Sequence, residues 1–129
     1  MFDHERLDVY QAAIEFVVLA NDLAEQLPRG RGYLADQLQR ASTSIVLNVA
    51  EGAGEFSSAE KLRFYRMARR SATECAAILD VCKRLGLLKQ ELHQQGRELL
   101  LRVVSMLIRI ARPSGTGTGT GTGTKRRAS

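Results

Sequence analysis

The chain contains no tryptophan, only two prolines and just 5% aromatic residues in a length of 129. Sandwiches and barrels need many short strands rich in aromatic and β-branched residues, so this shortage argues against both. Long apolar runs are missing too. The two most apolar stretches, Ala12 to Ala20 and Leu99 to Ile110, are interrupted by Glu15 and by Arg102 and Arg109. Neither approaches the roughly 20 apolar residues that cross a bilayer, and no membrane role is expected. The opening Met1-Phe2-Asp3-His4-Glu5 shows no cationic segment leading into an apolar one, so no secretory signal is expected either. Cysteine is equally scarce: Cys75 and Cys82 are seven residues apart, roughly 10 Å along a helix, and cannot bridge each other. Two reduced core thiols agree with the expected cytoplasmic location.

Signatures of chemistry are also lacking. His4 and His93 are the only histidines, and neither follows a glutamate by three residues, so the Glu-x-x-His pairs of di-iron bundles do not occur. There is no Gly-x-Ser-x-Gly, no phosphate-cradling Gly-x-x-x-x-Gly-Lys and no Cys-x-x-Cys. Glu51 and Glu55 flank an expected helix end, where neighbouring acids are ordinary and carry no general acid–base assignment. The expectation is a protein with no catalytic residues, no cofactor and no metal site.

What the chain does have is helical periodicity. From Glu5 to about Leu27, Leu7, Tyr10, Ile14, Val17 and Ala24 form one apolar stripe, widened by Val9, Phe16, Leu23 and Leu27. Pro28-Arg29-Gly30-Arg31-Gly32 then predicts a turn. A second helix begins near Tyr33 and carries Leu34, Leu38, Ala41 and Ile45, the next member of that series being Asn48. A polar residue on an apolar seam must find partners or cost about 1–3 kcal/mol. It bonds either to backbone or a group such as Ser44, or it faces another subunit. The helix is expected to close at Gly52-Ala53-Gly54, where glycine can turn left-handed.

Ser57-Ser58-Ala59-Glu60 reads as a capping box opening a third helix, with Ser57 accepting from a free amide and Glu60 reaching back to the Ser57 amide. Phe64, Ala68, Ser71, Cys75, Ile78, Cys82 and Leu85 then keep an unbroken 4-3 spacing, the seam of a bundle helix. Gly86 should stop it. A fourth helix runs from about Gln90 to Arg112, with Leu92, Leu99, Val103, Met106 and Ile110 inward and Gly96 as a weak point; Pro113 prevents extension. Four similar helices on short connections predict an all-α, up-down-up-down antiparallel four-helix bundle over residues 1–112. Residues 113–129 hold five Gly-Thr pairs and then Lys125-Arg126-Arg127-Ala128-Ser129, a low-complexity tail expected to be mobile. Its Arg-Arg-Ala-Ser end resembles a basophilic kinase site.

Charge is informative only in its placement. Lys and Arg number 19 against 14 Asp and Glu, but three cations lie in the last five residues, so residues 1–112 carry 16 against 14, a net of +2. On the third helix Lys61, Arg63, Arg66, Arg69 and Arg70 place five cations in ten residues. Arg63, Arg66 and Arg70 fall within about an 80° sector, and arginine suits bidentate phosphate contacts. The same residues also suit a solvated face partly neutralised by Glu60 and Glu74. Aromatics that would stack on single-stranded bases are sparse, Phe64 and Tyr65 being the nearest.

The run Gln37 to Gly54, with Arg40-Ala41, Ser44-Ile45, Asn48, Ala50-Glu51-Gly52 and Gly54, followed by Ser57, Glu60, Phe64, Ala68, Ser71 and Glu74, resembles the four-helix-bundle family encoded in 23S ribosomal RNA intervening sequences. Phe2, Leu7, Val9-Tyr10 and Ala13 match the usual start of that family, and the likeness covers residues 2 to about 111. It implies a bundle that assembles as a ring-shaped homopentamer, similar in fold to the accessory variability protein of diversity-generating retroelements, a pentamer that binds RNA and a reverse transcriptase. The family signature positions are Arg40, Ser44, Asn48, Glu51, Gly52 and Gly54, implied to be structural and at subunit contacts. The expected function is therefore a non-enzymatic oligomer that contacts RNA through Arg63, Arg66, Arg69 and Arg70, with Arg29 and Arg31 of the first turn as helpers. The alternative is a protein-interaction scaffold without nucleic-acid contact.

Overall fold

A computed structural model describes residues 2–111. A short 3-10 turn, Asp3–Arg6, precedes four helices: α1 (Asp8–Gln26), α2 (Gly32–Ala53), α3 (Ser58–Arg84) and α4 (Gln90–Ala111). Each helix packs on its two neighbours around a ring, α1 on α2 and α4, α3 on α2 and α4, and no diagonal pair meets among the described residues. The arrangement is the up-down-up-down bundle that the short connections predicted. The expected stop at Pro113, the Gly-Thr tail and its basic end lie outside the described residues.

Local chemistry sets the boundaries. α1 begins after the 3-10 turn rather than at Glu5, and ends where Leu27 turns extended (φ −68°, ψ 140°) ahead of Pro28, which disfavours a helical residue before it. Gly86 closes α3 at φ +75°, with the Leu87 amide donating to the Cys82 carbonyl at 2.8 Å and the Gly86 amide to Lys83 at 3.0 Å, a Schellman closure. The expected left-handed glycine at the end of α2 does not occur. Gly54 sits at φ −88°, ψ −2°, an ordinary right-handed conformation. The capping box is half formed. Ser57 accepts from the Glu60 amide at 3.3 Å, but the Glu60 carboxylate is drawn to Arg63 at 2.8 Å instead of back to Ser57.

Core positions follow the predicted periods with a rotation. On α1 the centre is Val9, Ala12, Ala13, Phe16, Ala20 and Leu23, whereas Ile14 is exposed and Tyr10 and Val17 half-buried. Ala12, Ala13 and Ala20 let the neighbouring helices approach closely and share the centre with Val9, Phe16 and Leu23, while Ile14, Tyr10 and Val17 lie off it. On α3 the buried line passes through Tyr65, Ala72 and Leu79 as well as Ala68, Cys75, Ile78 and Cys82; Phe64 and Ser71 lie at its α2 edge, and Leu85 is exposed. On α4, His93, Gly96, Leu100 and Leu107 join Leu99 and Val103, while Ile110 is exposed. Gly96 is a point of close approach, since a Cβ there would come within 2.8 Å of Leu79 Cδ1. Cys75 and Cys82 are free and buried, and burial, with the neighbouring Glu74 charge, pushes the Cys75 thiol up to about 12. No helix among the described residues is long and apolar enough to cross a membrane.

Candidate nucleic-acid interface

The first half of α3 presents the arginines. Helical spacing turns Tyr65, Ala68 and Ala72 into the core, which leaves Arg63, Arg66, Arg69 and Arg70 in solvent. They are not equivalent. Arg63 holds the Glu60 carboxylate with Nη2 at 2.8 Å and Nε at 3.2 Å, lies 4.6 Å over the Phe64 ring and reaches Met67 Sδ at 3.7 Å. This bond and the guanidinium charge hold the Glu60 carboxyl below the usual carboxylate range. Both partners are exposed, so the pair adds little to stability.

Arg66, Arg69 and Arg70 have no acidic partner among the described residues, and the expected pairing of Arg70 with Glu74 does not form. Three guanidinium groups within one and a half turns therefore remain available to phosphate, which arginine engages with paired donors.

Arg29 and Arg31 do not join this face. The α1–α2 turn lies at the far end of the bundle, beside the C-terminus of α3, where the Arg31 charge offsets part of the burial effect on the Cys82 thiol. From Arg66 to that end, at Arg84, is roughly 27 Å of helix. Arg31 also donates to the Tyr33 hydroxyl at 3.1 Å. The six predicted arginines thus form two groups, and the second shares its end with Lys83 and Arg84 in the last turn of α3 and Lys89 of the α3–α4 connection. Sequence reasoning passed over those three because they are 50 or more residues from the first turn and only the antiparallel topology brings them beside it.

The signature positions also divide. Ser44 and Ser71 share a hydrogen bond of 2.9 Å across α2 and α3, and Asn48 Nδ2 donates to the Ser44 carbonyl at 2.9 Å and its hydroxyl at 3.1 Å. The amide nitrogen of the polar residue on the seam finds its partners inside the subunit. Gly52 is required by space: a Cβ would stand 2.6 Å from Tyr65 Cε1 and 3.2 Å from Phe64 Cβ. Lys61 donates to the Gly52 and Ala53 carbonyls at 3.1 and 3.4 Å, so one of the α3 cations is spent closing α2. Among the described residues Arg40 pairs only with Asp36 one turn earlier, at 3.1 Å, and Glu51 is exposed. One polar contact had no sequence signal at all: His93 Nε2 donates to Asp80 Oδ1 at 2.8 Å, tying α4 to α3. Among the described residues, no three of the His, Cys, Asp and Glu side chains are grouped to hold a metal ion.

Comparison with known proteins agrees with this architecture. A protein of unknown function from the S23 ribosomal protein family of Bacteroides thetaiotaomicron has a crystal structure similar to this chain, with a TM-score of 0.75 at 22% identity, covering 81% of this chain and 99% of the other. At that identity the likeness speaks for the fold. No curated protein gives a significant sequence match. The family model for the 23S rRNA-intervening sequence protein matches residues 5–109, a span that reaches into all four helices and holds every signature position, and the chain belongs to that family.

Proposed function

We propose that this chain is a non-enzymatic, RNA-associated protein that works in the cytoplasm as an oligomer, a ring of five copies by the family resemblance, with the outer face of α3 as its RNA contact. The observation that carries the reading is the unpaired state of Arg66, Arg69 and Arg70 in a chain whose family is defined on ribosomal RNA intervening sequences. Phosphate contacts supply affinity by releasing counterions, each contact adding about 0.9 to the salt slope on duplex. A core net charge of +2 is weak alone. Five copies give about +10 and five sets of three free arginines, so that individually weak sites act together. The non-enzymatic part rests on the sequence, in which no nucleophile, metal-ligand or phosphate-cradle motif occurs.

A filter-binding titration against structured RNA at two salt concentrations tests this. Replacing Arg66, Arg69 and Arg70 together by Ala should abolish binding, while Arg63→Ala, whose side chain is already held by Glu60, should cost much less. No binding by the unaltered chain at low salt, or binding indifferent to the triple change, refutes the RNA role. A monomeric mass in solution refutes the ring. The second reading, a protein-interaction scaffold, draws support from Val18, Leu47 and Leu101, which are 57%, 59% and 53% exposed. It requires a protein partner whose retrieval survives nuclease treatment.

A further inference from the structure

The α2–α3 connection holds an aromatic ring entirely in solvent. Phe56 is 104% exposed, the most open of the large apolar residues described. It stands immediately before Ser57, the N-cap of α3, a position from which an apolar side chain ordinarily packs onto the fourth helical residue. That residue is Lys61, committed to the Gly52 and Ala53 carbonyls, so no apolar partner among the described residues covers the ring. The segments on either side of Phe56 are well tied. The Gly54 amide donates to the Ala50 and Glu51 carbonyls at 3.2 Å, the Glu55 amide to Gly52 at 3.2 Å, and the Ser57 hydroxyl caps α3. The ring is presented by a built turn, not trailed on a loose one.

Its surroundings select what it can take. Glu55 precedes it and Glu60 lies one turn on, the latter already matched by Arg63, so phosphate gains nothing at the ring itself. The unpaired Arg66 and Arg70 lie about 13 and 20 Å further along the α3 axis from Ser57. An uncharged flat surface at one point and free guanidinium groups beyond it match a nucleic-acid strand, whose bases are neutral π-faces and whose backbone is anionic. A base paired in a duplex offers no free face. Resting on the RNA reading above, we propose that Phe56 stacks an unpaired base of a single-stranded RNA segment whose backbone runs on to Arg66 and Arg70.

The chain has no tryptophan, so Phe56→Trp places a single reporter at the ring. The full chain and its variants are titrated with a short oligouridine and with an RNA duplex of equal charge. Phe56→Ala should weaken oligouridine binding about fivefold or more, the worth of one aromatic–base stack, and leave duplex binding unchanged. The Trp variant should retain affinity, and its emission should quench as oligouridine is added. If Arg66→Ala with Arg70→Ala weakens both RNAs while Phe56→Ala weakens neither, base stacking is overturned and RNA association stands. If the unaltered chain binds neither RNA, the RNA reading itself fails and takes this one with it. If the Trp emission responds to protein concentration without RNA, the ring is a contact between copies and the proposal is overturned.

Discussion

Replacing Gly52 by Ala should destabilise the bundle although alanine is the better helix former. The added methyl group would stand 2.6 and 2.8 Å from Tyr65 Cε1 and Cδ1 and 3.2 Å from Phe64 Cβ. Tyr65 is only 4% exposed, so its ring cannot swing away, and Phe64 Cβ moves only with the α3 backbone. Overpacking of this kind costs about 1–3 kcal/mol, and a clash with both a trapped ring and a neighbouring helix belongs near the upper figure. The helix propensity of alanine returns about 1 kcal/mol, which leaves a net loss of about 2 kcal/mol. In a domain of this size that lowers Tm by roughly 10 °C. Gly54→Ala is the control two residues on: its Cβ would meet nothing nearer than 3.7 Å and its φ of −88° suits alanine. That change should stabilise by about 0.4–1 kcal/mol. Thermal and urea unfolding followed by circular dichroism at one fixed protein concentration decide the matter. In a Tyr65→Ala background most of the cost of Gly52→Ala should disappear, because the nearer obstruction, the ring, is gone and only Phe64 Cβ at 3.2 Å remains. Equal or greater stability of Gly52→Ala in the unaltered chain would refute the close-approach argument.

Three further outcomes follow from named contacts. Ser44→Ala should cost about 1 kcal/mol by taking a partner from both the Ser71 hydroxyl and the Asn48 amide, and Ser71→Ala less, because Ser44 Oγ still accepts from Asn48, whereas the double replacement should cost less than the two together; additive losses would show that the hydroxyls do not communicate. Glu60 should titrate below an ordinary glutamate in a carboxyl-detected NMR titration and return to the ordinary range in Arg63→Ala. Its folded-state value is depressed, so whatever stability the pair adds is present above the unfolded pKa and disappears as pH falls through the folded one. Cys75, with its thiol pushed up to about 12, should resist a thiol reagent at pH 8 until denaturant is added, and labelling of native protein within minutes would contradict its burial. The same raised value means that the unfolded chain ionises first as pH rises beyond the ordinary thiol range, so stability declines there.

Much of the candidate face was legible in advance. Helical spacing alone puts Arg63, Arg66 and Arg70 in one basic sector, and Ser44 is one of the partners that the sequence offers Asn48. The engagement of Arg63 with Glu60 was less visible, because in the capping-box pattern Glu60 has two competing partners and only side-chain geometry chooses between them. Phe56 gave no signal, since a lone phenylalanine in a turn reads as a staple until its partner position proves to be a lysine already in use.

Periodicity, turn residues and charge spacing sufficed for four helices, their order, their antiparallel sense and the outward direction of the arginines. These depend on contacts a few residues apart, and so they are written in the chain itself. Which residues occupy the centre of each interface depended on the assembled bundle. Alanines displaced the larger Ile14 and Tyr10 on α1, and Tyr65 displaced Phe64 on α3, because the depth of a side chain is set by how closely the neighbouring helix approaches. The division of the arginines into two distant groups, and the role of Gly52 as a gap for Tyr65, belong to the same class. They are relations between segments far apart in sequence, fixed only when all four helices are in contact.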